Sequence, residues 1–143
     1  MKLNYYFFTE GEPTPNISFG HFFRCLEVAR YLKKKGHKCI FIIENSKYVK
    51  KFLNQFKFKN INFSYLKKKR LRIKNTVIIY DKYKVCKKEI NYFKNIKKIL
   101  YDDYNRYSSF KNCIRITTNL GNKIFKKNHI NSYNFRLSKF LNN

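Results

Sequence analysis

Three consecutive patterns at the start of the chain leave few folds open. Leu3 to Phe8 is an apolar, aromatic run bounded by polar residues, the mark of a buried strand. From His21 to Lys35 the apolar residues recur at helical spacing. Phe22, Leu26, Ala29 and Leu32 or Lys33 share one stripe, while Glu27, Arg30, Lys34 and Lys35 fall on the other face. Gly36 stands where a helix places its C′ residue, and Lys38 to Ile43 is a second apolar run. Strand, helix and strand in that order form a βαβ unit with parallel strands and a right-handed crossover.

The alternation continues. Ser46 to Phe56 repeats the helical stripe, Ile61 to Leu66 reads as a third strand, and Thr76 to Tyr80, apolar and β-branched, reads as the central one. Val85 to Asn95 is then a helix, Lys98 to Tyr101 a strand, and Asn112 to Thr117 a sixth strand. The charge run Lys67-Lys68-Lys69-Arg70, with Arg72 and Lys74, reads as a solvated connector before the central strand. Repeated βα units predict an α/β fold: a doubly wound, mostly parallel, Rossmann-like sheet, with residues 1–143 as a single domain. The chain's 143 residues suffice for a core of its own.

The net charge of +25 points first to nucleic acid. The residue types argue otherwise. Lys supplies 26 of the 33 basic residues, beside 18 Asn and abundant Ile, Phe and Tyr, a set that rises together when coding DNA is rich in A and T. Phosphate- and base-reading surfaces lean on Arg, which is scarce here. The expectation is no specific nucleic-acid partner, only a salt-sensitive association with polyanions. No apolar run reaches the length of a membrane span, and the start of the chain lacks a signal peptide's apolar core and cleavage site. A cytoplasmic protein is expected. Cys25, Cys39, Cys86 and Cys113 form no C-x-x-C pair and have no His at ligand spacing, so they read as reduced thiols in or near the core, with no metal site.

In a doubly wound fold, ligands bind beyond the C-terminal ends of the strands. The segment Thr9 to Ser18, with Gly11, Pro13 and Pro15, is long for a strand-to-helix connection, which marks it as functional. It leads to Gly20 and His21 at a helix N-terminus, where unpaired N–H groups and the helix dipole suit a polar or anionic ligand. The same partial charge favours a neutral imidazole at His21, the form a general base requires. Asp81 ends the central strand and Tyr83 follows it; Asp102 and Asp103 end the next strand. That second carboxylate pair leaves open a metal site or a turn cap, with the cap reading assigned to Asp103.

Gly20-His21-x-x-Arg24-Cys25 behind the Thr9-Glu10-Gly11 loop, then Asp81-x-Tyr83, then Asp102-Asp103, resemble the nucleotide-sugar hydrolases of pseudaminic acid biosynthesis and the related spore-coat polysaccharide biosynthesis proteins. That family has the two-domain fold of B-type glycosyltransferases, and the resemblance runs along the whole chain, which corresponds to the N-terminal half. The chain departs from the family pattern at Ser18, where the loop usually has Gly, and at Lys82, where it has His. The resemblance implies hydrolysis of a UDP-linked, acetamido-substituted deoxysugar to UDP and free sugar, without a cofactor. It implies His21 as general base, Tyr83 as a partner of that base or of the sugar, and Gly11, Ser18, Gly20, Arg24 and Asn119 in the substrate-binding loops. From its strand-end position, Asp81 would orient the site. The resemblance also implies that the nucleotide belongs to a C-terminal domain absent from this sequence, so that a separate chain carrying it is a candidate partner.

Two readings from other classes stay open. One is a binding module that presents its basic surface to nucleic acid or acidic polysaccharide; Arg and aromatic residues clustered on one face would favour it. The other is a non-catalytic, truncated remnant of the hydrolase.

Overall fold

The structure, a computed structural model, describes residues 2–14, 18–44, 46–68, 75–104, 106–110, 112–117 and 129–131. Strand β1 (Asn4–Thr9) runs into helix α1 (Gly20–Lys34), followed by β2 (Lys38–Ile42), α2 (Lys47–Gln55), β3 (Lys59–Ile61) and α3 (Phe63–Lys68). The second part of the chain adds β4 (Thr76–Asp81), α4 (Lys87–Tyr92), β5 (Lys97–Tyr101), β6 (Ile114–Thr117) and β7 (His129–Asn131). The strands form one sheet in the order β3-β2-β1-β4-β5-β6-β7, and every pairing is parallel. This is the expected doubly wound α/β architecture. Its topological switch point lies between β1 and β4, where the chain leaves one half of the sheet for the other.

The switch follows from the burial of both sheet faces. Alternate residues of a strand face opposite sides, so Phe7 and Phe8 enter different cores. On one face Phe7, Phe41 and Ile79 meet Phe22, Leu26 and Ala29 of α1 and Val49 and Leu53 of α2. On the other, Phe8, Ile78, Tyr80 and Leu100 meet Leu66 of α3 and Ile90 of α4. Strand β4 is buried at all six positions, as a central strand requires. The end of α1 also follows its sequence: Gly36 takes φ +83, a left-handed conformation in which a Cβ would be strained.

Two elements differ from expectation. Ile61 to Leu66 does not form a strand; β3 closes at Ile61 and α3 begins at Phe63. Asn62 decides this, because its Oδ1 accepts the Tyr65 N–H at 2.7 Å, an N-cap bond that turns the chain into a helix. Strand β7 lies beyond the last strand read from the sequence and pairs with β6 through three residues. Lys67 and Lys68 of the basic run close α3, and residues 69–74 lie outside the described residues. Cys25, Cys39 and Cys113 are buried free thiols, as read, while Cys86 is free and exposed at the start of α4.

Candidate functional site

The C-terminal edge of the sheet gathers carboxylates. Of the chain's eight acidic residues, Glu10 and Glu12 follow β1, Glu44 follows β2, Asp81 ends β4, Glu89 opens α4, and Asp102 and Asp103 follow β5. Only Glu27, on α1, lies elsewhere.

Helix α1 starts without a carboxylate in its first turn. The Gly20 N–H donates to Ser18 Oγ at 3.3 Å, so the serine satisfies one of the free N–H groups of the helix end. Among the described residues, a Cβ at Gly20 would meet Ser18 Oγ alone, at 3.4 Å, an ordinary contact. Gly11 is different. A Cβ there would lie 3.0 Å from the Phe19 ring and 3.1 Å from both Phe22 and Val49, so Gly11 lets the loop after β1 settle between α1 and α2.

From the first turn of α1, His21 and Arg24 project one helical turn apart toward the end of β4. His21 Nδ1 lies 2.7 Å from Asp81 Oδ1. Arg24 grips the same carboxylate side-on: Nε donates to Oδ2 and Nη2 to Oδ1, both at 2.6 Å. The far side of the guanidinium reaches Asp103, with Nη2 to Oδ2 at 2.9 Å and Nη1 to Oδ1 at 3.3 Å. Its face lies 4.4 Å from the centre of the Tyr101 ring. Asp81 is fully buried, and the His21 and Arg24 side chains are each 19% exposed.

The electrostatics of this quartet are consistent. Burial alone would lower the Arg24 pKa, but hydrogen bonds and charge from Asp81, then Asp103, more than reverse that and push it up. Arg24 is therefore a fixed cation. Burial, reinforced by the Asp81 charge, raises the Cys25 thiol, whose Sγ is 3.8 Å from Asp81 Oδ2. The thiol stays protonated and packs in the core, which removes it as a nucleophile. Burial likewise raises the Tyr101 phenol. A carboxylate anion only accepts hydrogen bonds, so a neutral His21 paired with an ionised Asp81 would carry its proton on Nδ1 and keep Nε2 as the acceptor. A histidine with its second nitrogen fixed by a buried carboxylate is equipped to take a proton from water. The orienting influence on His21 is thus a specific partner, Asp81, rather than the helix end alone.

The cap reading given to Asp103 falls to its neighbour. Asp102 is the cap: its carboxylate accepts the Arg106 and Tyr107 backbone N–H groups at 2.8 and 3.0 Å, with Arg115 Nη1 at 3.4 Å. Asp103, expected to be the cap, joins the site through Arg24. The reason is strand alternation continued past β5, which puts residue 103 on the face of Tyr101, toward α1, and residue 102 on the other.

Tyr83 lies at the same edge but does not touch His21. Its ring, 53% exposed, stacks on Arg106 at 4.8 Å. Its backbone N–H donates to the Glu10 carboxylate, which ties the loop after β4 to the loop after β1. Its carbonyl accepts the Tyr107 hydroxyl at 3.1 Å. Lys82, the departure from the family pattern, is paired with Glu89 at 2.8 Å. A cavity of about 240 Å³ opens beyond the ends of β1 and β2, lined by Glu10, Glu12, Glu44, Ser46 and Lys82 among others, but not by His21 or Asp81. Asn119 lies outside the described residues. Among the described residues, no helix is long and apolar enough to cross a membrane.

Comparison of the chain with protein-family models, with curated proteins and with solved structures finds no match.

Proposed function

We propose that the chain is the N-terminal, sugar-side domain of a UDP-sugar hydrolase, with His21 as general base. The carrying observation is the 2.7 Å contact of His21 Nδ1 with buried Asp81 at the switch point of the sheet. That contact selects the tautomer whose Nε2 accepts the proton of an attacking water. Arg24 holds Asp81 through two 2.6 Å bonds and is itself braced by Asp103, so the base rests on a locked support. In the reaction, water oxygen bonds to the anomeric carbon, the bond from that carbon to the UDP oxygen breaks, and His21 takes the water proton. The products are free sugar and UDP.

The exposed Gly20 at the start of α1 and the exposed ring of Tyr83 lie at the same edge, where the sugar would enter. Departure of UDP requires stabilisation of the growing charge on its diphosphate. By resemblance, a second domain supplies most of that. The experiment is an assay of UDP release from a UDP-linked diacetamido sugar, with this chain alone and with a matching C-terminal domain added. Activity is expected only in the mixture, with loss in His21→Ala. Turnover by the chain alone that survives His21→Ala would contradict the proposal.

A further inference from the structure

Four arginines are described, and three of them sit on carboxylates: Arg24 on Asp81 and Asp103, Arg30 on Glu27, and Arg115 on Asp102. Arg106 differs. Among the described residues its guanidinium meets no carboxylate. It lies instead over three tyrosine rings, 4.8 Å from the centre of Tyr83, 4.9 Å from Tyr104 and 5.6 Å from Tyr107. The two carboxylates that follow β5 are already committed, Asp102 to the backbone N–H groups of Arg106 and Tyr107, and Asp103 to Arg24.

The mount is rigid. The Arg106 backbone is bonded to buried Asp102, and the next residue, Tyr107, is itself buried. The Tyr107 hydroxyl accepts the Val85 N–H at 2.9 Å and donates to the Tyr83 carbonyl, which joins the loop after β5 to the loop after β4. Ring faces offer the guanidinium no hydrogen-bond acceptor of carboxylate strength. Its N–H donors can therefore still grip a forked oxyanion. Tyr83 and Tyr104, 53% and 63% exposed, place the group at the surface of the sheet edge that carries His21.

We propose that Arg106, held by Tyr83, Tyr104 and Tyr107, is an anion-binding subsite for the diphosphate of a nucleotide ligand. The identity of that ligand rests on the hydrolase reading; the capacity to bind the anion does not. The subsite gives this domain its own contact to the leaving group, across the cleft from the second domain. It also accounts for an arginine without a carboxylate in a chain whose other described arginines all have one.

The test titrates the chain with UDP, inorganic diphosphate and uridine at about 150 mM salt, where loose attraction to lysines is screened. The Arg106 Nε–Hε signal is followed by NMR. UDP and diphosphate should shift it and uridine should not. Arg106→Lys keeps the charge but loses the planar fork, so it should weaken binding about tenfold, as should Arg106→Gln. Lys34→Gln, at the opposite end of α1, should leave affinity unchanged. UDP binding as tightly as diphosphate supports a site for the phosphates alone, and tighter UDP supports a nucleotide site. An unmoved Arg106 signal, or equal loss in Lys34→Gln and Arg106→Lys, overturns the proposal. Diphosphate binding through Arg106 without His21-dependent UDP release would retain this subsite and remove the hydrolase reading; the converse would do the reverse.

Discussion

Asp81 and Asp102 end neighbouring strands, both are buried, and both face an arginine, yet they serve different ends. Asp81 is satisfied by side chains, His21 and Arg24, that come from a helix on the far side of β1. Asp102 is satisfied chiefly by backbone N–H groups of its own loop. A carboxylate filled by backbone fixes the course of a chain. One filled by an imidazole and a guanidinium fixes the orientation of reactive groups. The comparison therefore separates the part of the edge that shapes the fold from the part equipped for chemistry.

The largest effect is expected from Asp81→Ala. It leaves the Arg24 guanidinium short of its main partner in a mostly buried site, which should cost about 3–5 kcal/mol in urea unfolding. A loss below about 1 kcal/mol would mean that the quartet is no more than a surface ion pair. Asp102→Ala should cost less, about 2–3 kcal/mol, because it orphans two backbone donors while the contact to Arg115 is the longer one, at 3.4 Å. Its effect should be local, with faster amide exchange at Arg106 and Tyr107 and an unchanged His21 environment. If His21 responds as strongly to Asp102→Ala as to Asp81→Ala, the two carboxylates are not separable.

Gly11→Ala comes next. The added methyl meets three neighbours at 3.0–3.1 Å, so about 1–2 kcal/mol of overpacking is expected, read as a lower urea midpoint. An unchanged midpoint would show that the loop after β1 yields freely. His21→Ala should disturb the fold least, by about 1 kcal/mol or less, since Arg24 still fills the Asp81 carboxylate. Stability held while UDP release is lost is the signature of a residue kept for chemistry; a large stability loss would make His21 a structural residue.

Most of the fold was legible in the sequence because hydrophobic period decides strand from helix. Strands β1, β2, β4 and β5 and helices α1 and α2 fall within a residue or two of their apolar patterns. The misread stretch, Ile61 to Leu66, alternates apolar and polar residues and so imitates a strand; a single Asn62 cap outweighs the pattern. Of the site, His21 and Asp81 were legible from their positions at a helix start and a strand end. The Arg24–Asp103 pair was not, since it joins residues 79 positions apart. The alternation that continues from Tyr101 to Asp103 was a usable signal for it. The Arg106 cluster carries no motif at all, and its members come together only because the loops after β4 and β5 are neighbours.

The most direct test of the account is the protonation state of the two His21 ring nitrogens, read by nitrogen-15 NMR on the intact chain at a pH where the imidazole is neutral. Orientation of the base by Asp81 predicts a proton on Nδ1 and a bare Nε2, unchanged in Asp102→Ala. A proton on Nε2 with a bare Nδ1 would contradict it, because His21 could then neither donate to Asp81 nor accept a proton from water at the open edge of the sheet.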